Sequence, residues 1–326
     1  MKKLTLKITL LTLLLGSTAG FAQDAKADSA YVRNNYEKIE QVIPMRDGTK
    51  LFTAIYQPKD KTKQYPVLLN RTPYTVAPYG TDAYKKTLGN FPAEMHEGFI
   101  FVYQDVRGKW MSEGEFEDVR PINSSKSKKS TDESTDTYDT LEWLEKNLKN
   151  YTKKAGIYGI SYPGFYSTIS LVNSHPTLKA VSPQAPVTDW FLGDDFHHNG
   201  VLFLNDSFKF MSSFGVKRPH PITPDKGPKS FDYPVKDNYR FYLESGSVKE
   251  LKDKYFQDNI KFYNDLFAHP DYDQFWQDRN VLPHVTNVQP AVMTVGGFFD
   301  AEDVYGAFET YKAIEKQNSK TTNIIV

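Results

Sequence analysis

With 326 residues, 39% of them hydrophobic and 14% aromatic, the chain has a globular composition, enough for one large domain or two smaller ones. Forty Lys plus Arg balance forty Asp plus Glu, so overall charge gives no steering toward nucleic acid or an anionic membrane, and a polyanionic substrate is not expected. The sequence has no cysteine, which excludes thiol chemistry, disulfides and a lipid-modified cysteine and leaves stability to core packing.

The N-terminus places Lys2, Lys3 and Lys7 ahead of an apolar run to Leu15, then the small-residue stretch 17–22. This is the layout of a secretory signal peptide over residues 1–22, cut near Ala22, with an apolar core too short to serve as a stable membrane anchor. A periplasmic or secreted protein is expected. A short polar segment follows. Residues 39–44, 51–56 and 67–70 then read as strands separated by turn signals such as Asp47-Gly48. The β-forming run 98–106, bounded by Gly98 and Gly108, reads as a buried central strand. The Ser/Lys tract 124–130 reads as a solvated loop. Tyr138, Leu141, Leu144 and Leu148 recur at helical spacing over 135–148 and feed a strand at 155–160.

That strand runs into Tyr158-Gly159-Ile160-Ser161-Tyr162-Pro163-Gly164, and Phe165, Ile169 and Val172 continue at helical spacing. A serine on a sharp strand-to-helix turn stands clear of the backbone, the exposure that a nucleophile elbow needs. The glycine expected two residues after the serine stands one later, at Gly164, and Pro163 is tolerated in a first helical turn. An ordinary glycine-bounded turn is the plainer alternative.

Residues 178–183 and 291–296 read as later strands, and between 190 and 284 aromatics, Pro-rich turns and polar helix-like segments replace any clear buried strand. The expected architecture is α/β. An α/β-hydrolase core over 35–189 and 286–326, with a mostly parallel sheet, is interrupted by a helical cap over 190–285. The chain closes on the β-type run 321–326, which reads as an interior strand, so a C-terminally truncated fragment is expected.

The second constellation follows the strand at 291–296. Asp300, Glu302 and Asp303 lie just past its C-terminal end, where open α/β sheets bind ligands. In the chain order serine, acid, histidine, Asp300 stands 139 residues after Ser161, at the place of a triad acid. The same acids also suit the N-terminus of a helix continuing through Val304, Ala307, Phe308 and Tyr311. No histidine follows Asp300; the last of the seven is His284, so the triad is incomplete in this chain.

Taken in order, Arg71-Thr72-Pro73-Tyr74, Gln104-Asp105-Val106-Arg107-Gly108 with Ser112-Glu113-Gly114-Glu115, the Gly159-x-Ser161-Tyr162-x-Gly164 elbow and Gly297-Phe298-Phe299-Asp300 resemble one family. It is the cocaine esterase and Xaa-Pro dipeptidyl-peptidase superfamily of serine hydrolases, and the likeness is strongest to the α-amino acid ester hydrolases. The resemblance implies Ser161 as nucleophile, Asp300 as triad acid, and an oxyanion hole from the Tyr74 hydroxyl and the Tyr162 backbone N–H. It also implies an ammonium-binding group of Asp195, Glu302 and Asp303, with Asp194 as a rival for the first. A histidine shortly after the last strand and a jelly-roll domain are implied beyond the residues present. Without the resemblance, Tyr74 reads as a turn aromatic after Pro73 and Asp195 as a solvated cap carboxylate.

The expected activity is hydrolysis of esters, and of amides such as β-lactam side chains, of α-amino acids through an acyl-enzyme. Substrates are a small-molecule ester or a short peptide; no cofactor and no metal are expected, since no EF-hand-like spacing supports calcium. A homo-oligomer is compatible with the sequence. A dipeptidyl-peptidase releasing Xaa-Pro is the alternative within enzymes; a non-catalytic remnant or binding protein lacking the triad histidine is the alternative outside them.

Overall fold

The computed structural model describes residues 25–326 apart from positions 91, 125, 126, 128, 219, 220 and 319. The leader expected at 1–22 lies outside the described residues, as does part of the 124–130 tract.

Strands β1 (Tyr36–Pro44) and β2 (Lys50–Pro58) form an antiparallel hairpin, in register from Tyr36 opposite Pro58 to Pro44 opposite Lys50. Its turn is the Asp47-Gly48 pair: Gly48 takes φ +92°, and the Asp47 carboxylate accepts the Thr49 N–H at 3.0 Å. Then come β3 (Tyr65–Thr72), β4 (Ile100–Asp105), β5 (Tyr151–Ile160), β6 (Leu178–Gln184), the two-residue strands β7 (His197–His198) and β8 (Val201–Leu202), β9 (Ala291–Thr294) and β10 (Asn323–Ile325). The main sheet runs β1-β2-β4-β3-β5-β6-β9-β10, parallel from β4 onward, and β7 and β8 form a separate antiparallel pair.

All six residues of β4 are buried because both faces of the sheet are covered. Phe101 and Tyr103 turn to one face, packing with Val32 of α1 (Ala25–Asn35) and Met95 of α2 (Pro92–Glu97). Ile100 and Val102 turn to the other, toward Leu141 and Leu144 of α3 (Glu133–Asn147) and Phe165 and Ile169 of α4 (Tyr162–Ile169). Helix α3 is fixed at its start by Asp132, whose carboxylate accepts the Thr135 N–H while the Thr135 hydroxyl accepts the Asp132 N–H. Between β6 and β9 the chain inserts the β7-β8 pair and helices α5 (Leu204–Phe214), α6 (Asn238–Glu244), α7 (Val248–Leu251), α8 (Lys261–Ala268) and α9 (Gln274–Gln277). Their buried Phe208, Phe241, Phe262 and Trp276 belong to the same apolar cluster as the central strands, so the helical insertion shares one core with the sheet. Helix α10 (Val304–Gln317) then crosses from β9 to β10. This is an α/β-hydrolase arrangement.

Two local expectations differ. The short polar segment before the first strand is largely helix α1, held to the sheet through fully buried Val32. Helix α4 stops at Ile169, so Val172 belongs to the turn after it.

Because β3, β5, β6 and β9 are parallel, their C-terminal ends open onto one rim, which carries Tyr74, Ser161, Asp195 and Asp300 in turn. Among the described residues, no helix is long and apolar enough to cross a membrane.

Candidate active site

Ser161 caps α4 with φ +60° and ψ −123°, a backbone region that L-residues rarely adopt. The neighbours explain how that turn survives. A Cβ on Gly159 would lie 2.1 Å from the Pro163 carbonyl oxygen, so the chain can fold back only over glycine. A Cβ on Gly164 would lie 2.7 Å from the Gln184 carbonyl oxygen and 2.8 Å from the Pro186 Cα, backbone that cannot step aside. Gly164 therefore lets α4 press against the end of β6, which accounts for a glycine three residues after the serine. Gly164→Ala is expected to cost about 1–3 kcal/mol of stability, read as a lowered urea midpoint at unchanged m-value.

The Tyr162 side chain anchors the turn from inside. Its hydroxyl accepts the Val119 N–H at 2.8 Å and approaches Asp118 at 3.3 Å, and its ring is buried among Tyr166, Trp190 and Phe214. Its own N–H opens helix α4, one of the first-turn donors that has no intrahelical acceptor.

Tyr74 reaches the same place from the end of β3. Arg71, fully buried, bonds Gln104 at 2.8 Å, the Glu133 carbonyl and Thr137 at 2.9 Å each, and the Glu133 carboxylate at 3.1 Å. Arg107 joins Asp136 and Asp47 at 2.7 Å each. Asp105, at the end of β4, accepts the Val76 N–H at 3.0 Å and the Tyr79 hydroxyl at 2.7 Å, pinning the loop that carries Tyr74. The Arg71 and Gln104-Asp105-Val106-Arg107 motifs thus act as a frame for the Tyr74 loop, and breaking a buried pair of this kind costs about 3–5 kcal/mol. Tyr74 is 38% exposed along a cleft, and its hydroxyl is turned toward the Ser161 side chain and the carboxylates of Asp195, Asp303 and Glu302. Crowding by protein, then Asp195, raises the phenol above its ordinary pKa, so it stays a proton donor at neutral pH.

Asp194 and Asp195 are adjacent and differ completely. Asp194 accepts from Thr188 N–H, Thr188 hydroxyl, Asp189 N–H and Gly306 N–H at 2.7–2.9 Å, tying the loop after β6 to α10. Asp195, at φ +48°, turns the other way: its carboxylate takes one hydrogen bond, from Trp190 Nε1 at 2.7 Å, and its N–H bonds the Glu302 carbonyl at 3.1 Å. Asp300 Oδ1 accepts the N–H groups of Glu302 and Asp303 at 2.9 and 3.0 Å, capping the turn into α10, while its Oδ2 takes no hydrogen bond among the described residues.

Asp303 is 2% exposed, and its Oδ1 has no hydrogen-bond partner among the described residues. Burial, then the charges of Asp195, Asp194, Asp300 and Glu302, lift its carboxyl far above the carboxylate range. Asp195 is raised too, by burial and then by Asp194, Glu302 and Asp300 against the opposing Trp190 bond. Burial, with Asp206 and Asp300, raises Glu302. The acids thus lack a counter-charge, which a single cation placed among them would supply. Among the described residues no three His, Asp or Glu side chains converge as metal ligands do.

The sequence-read residues Ser161, Tyr74, Tyr162, Asp195, Asp300, Glu302 and Asp303 therefore gather on one rim, beside a cleft of ≈ 460 Å³ bounded by Tyr74, Trp110, Phe210, Phe214 and Glu302. Trp190 and Asp206 join them without a signal in the sequence: one is an insertion aromatic, the other a helix-start acid. No described histidine meets Ser161 or Asp300. His197 Nδ1 lies 3.0 Å from the Trp190 carbonyl, His198 stacks on Phe203, and His175 sits against Thr177 and Tyr138.

The family model described as X-Pro dipeptidyl-peptidase (S15 family) matches residues 47–326. The cocaine esterase of Rhodococcus sp. (strain MB1 Bresler) is 24% identical over 273 residues, 82% of this chain and 45% of that protein. Of solved structures, an aminopeptidase from the marine sediment archaeon Thaumarchaeota archaeon aligns with a TM-score of 0.75 at 33% identity, covering 87% of this chain and 46% of its own. An α-amino acid ester hydrolase aligns with a TM-score of 0.78 at 30% identity, covering 94% and 50%. The chain spans about half the length of these relatives.

Proposed function

The chain belongs to the X-Pro dipeptidyl-peptidase (S15) family, and from that premise we propose an exported serine hydrolase that cleaves esters, and amides including β-lactam side chains, of α-amino acids. Export rests on the leader pattern of residues 1–22. The observation that carries the substrate class is Asp303, a buried carboxylate with an unpartnered oxygen and acids for neighbours. A substrate α-ammonium among Asp195, Glu302 and Asp303 neutralises that group and fixes the carbonyl beside Ser161.

In the proposed reaction Ser161 Oγ bonds to the carbonyl carbon as its proton leaves, and the carbonyl oxygen becomes an oxyanion. The Tyr74 hydroxyl and the Tyr162 N–H donate to that oxygen, stabilising charge that exists only in the tetrahedral state. Collapse expels the alcohol or amine with the proton, and water attacking the acyl-serine regenerates the hydroxyl. The proton carrier is proposed to be a histidine beyond residue 326, oriented by the open Oδ2 of Asp300, since no described histidine meets either group.

Steady-state rates of the protein, extended to the length of its relatives, on an amino acid ester and its N-acetyl form test the reading. The free-amine ester is expected to be favoured at least tenfold in kcat/KM, and equal values contradict the ammonium site. The family description also favours a second reading, a dipeptidyl-peptidase releasing Xaa-Pro, which needs the same amine anchor. Faster turnover of an Xaa-Pro amide than of any ester would select it.

A further inference from the structure

The cleft carries a guanidinium that the ester chemistry does not use. Arg218, following α5 in the insertion, lays its guanidinium over the Trp110 ring, 4.3 Å from the centroid. Its Nε is buried without a hydrogen-bond partner, and no carboxylate among the described residues forms an ion pair with it. Asp105, the Tyr79 hydroxyl and the Lys109 ammonium lie near enough to act on it, and the Asp105 carboxylate is already engaged by Val76, Tyr79 and Met111. Neighbouring Lys217 is different, being paired with Glu115 at 2.8 Å. Arg218 borders the same cleft as Tyr74 and Glu302, and α5 adds exposed Lys209 together with the acid Asp206 to that lining.

The position along the cleft follows from Trp110. Its Nε1 donates to the Pro73 carbonyl at 2.9 Å, which sets the platform under Arg218 one residue from Tyr74. The Tyr74 hydroxyl faces Asp195, Asp303 and Glu302, while Arg218 lies over Trp110, which is bonded to the residue before Tyr74. Tyr74, Glu302 and Arg218 thus border one cleft, which offers an acid and a guanidinium to the same bound molecule. A planar guanidinium over an indole, with no ion-pair partner among the described residues, suits a carboxylate, which it can bind through two parallel hydrogen bonds.

We propose that Arg218, supported by Lys209, is a specificity-determining residue that binds a free carboxylate on the departing half of the substrate. The preferred substrate is then a short zwitterion: an α-aminoacyl group joined to a leaving group that ends in a carboxylate, as in a dipeptide. This rests on the hydrolase reading above for the placement of the aminoacyl half.

Calorimetric titration of the Ser161→Ala protein with four ligands tests it: phenylalanyl-phenylalanine, its C-terminal amide, and the N-acetyl form of each. In both the free-amine and the acetylated series the carboxylate is expected to bind about tenfold or more tighter than the amide, as for a hydrogen-bonded charge. Arg218→Gln, which keeps amide donors but no charge, should bring that ratio to about 1, and Arg218→Lys should retain part of it. A ratio near 1 with Arg218 present, a ratio that survives Arg218→Gln, or no measurable binding of any of the four overturns the proposal. A carboxylate preference that stands while the free amine confers no advantage supports Arg218 and removes the ammonium site, so the two failures are distinguishable.

Discussion

In the protein extended to the length of its relatives, Ser161→Ala is expected to lower turnover of an amino acid ester by at least about a thousandfold, the scale for loss of a nucleophile. Tyr74→Phe, which removes one of the two proposed donors to the oxyanion, is expected to lower kcat by about a hundredfold to a thousandfold with KM nearly unchanged. The two should not multiply. With Oγ absent no acyl-enzyme forms and only direct attack by water remains, so Tyr74→Phe should lower the Ser161→Ala rate by less than it lowers that of the unaltered enzyme. Circular dichroism should be unaltered in both, because Tyr74 and Ser161 meet each other rather than the buried frame of Arg71, Arg107 and Asp105. A Tyr74→Phe enzyme with full kcat would remove Tyr74 from the oxyanion hole.

Asp303→Asn is expected to act in opposite directions on stability and on recognition. A carboxyl whose folded pKa is raised above its unfolded value favours the folded state fully at low pH and loses that contribution as pH rises. The window opens near the ordinary carboxylate pKa, about 4, and extends through the raised folded values of Asp303 and Asp195. The unliganded protein should therefore be less stable at pH 8 than at pH 5.5. Asp303→Asn should flatten that slope and raise stability at pH 8 by about 1 kcal/mol or more, one pKa unit being worth about 1.4 kcal/mol. The same change should reduce the preference for a free-amine ligand over its N-acetyl form at least tenfold, since one charged partner of the ammonium is gone. Thermal melts at the two pH values, with and without the amine, give both readouts. A variant that is destabilised at pH 8 would show that the Asp303 charge is already compensated.

Much of this was legible in the sequence because the information was local. Apolar runs bounded by glycine, such as 98–106, mark buried parallel strands whatever their neighbours do, and Gly159 and Ser161 mark a sharp turn. The acids after β9 were legible because chain order alone puts residues past a parallel strand's C-terminal end on the ligand-binding rim.

What stayed hidden depended on contacts across the fold. Nothing in the chain distinguishes Asp194 from Asp195; the difference is a positive φ and the Gly306 N–H, supplied by a residue 112 positions away. Gly164 makes sense only once the Gln184 carbonyl is beside it. Helix α1 has little apolar periodicity and is held by buried Val32, with Tyr31 beside it, against strands β2 and β4. Trp190, which donates to Asp195, and Arg218, which stacks on Trp110, come from an insertion whose aromatics all read alike as core.

The central claim is that Ser161 is a nucleophile served by this rim, and covalent labelling tests it most directly. The extended protein is treated with a fluorophosphonate and the adduct is located by peptide mass spectrometry. The account predicts one adduct, on the peptide carrying Ser161, slowed by a bound amino acid amine and lost in Ser161→Ala. An extended protein that takes no label, or takes it on another serine, would contradict it.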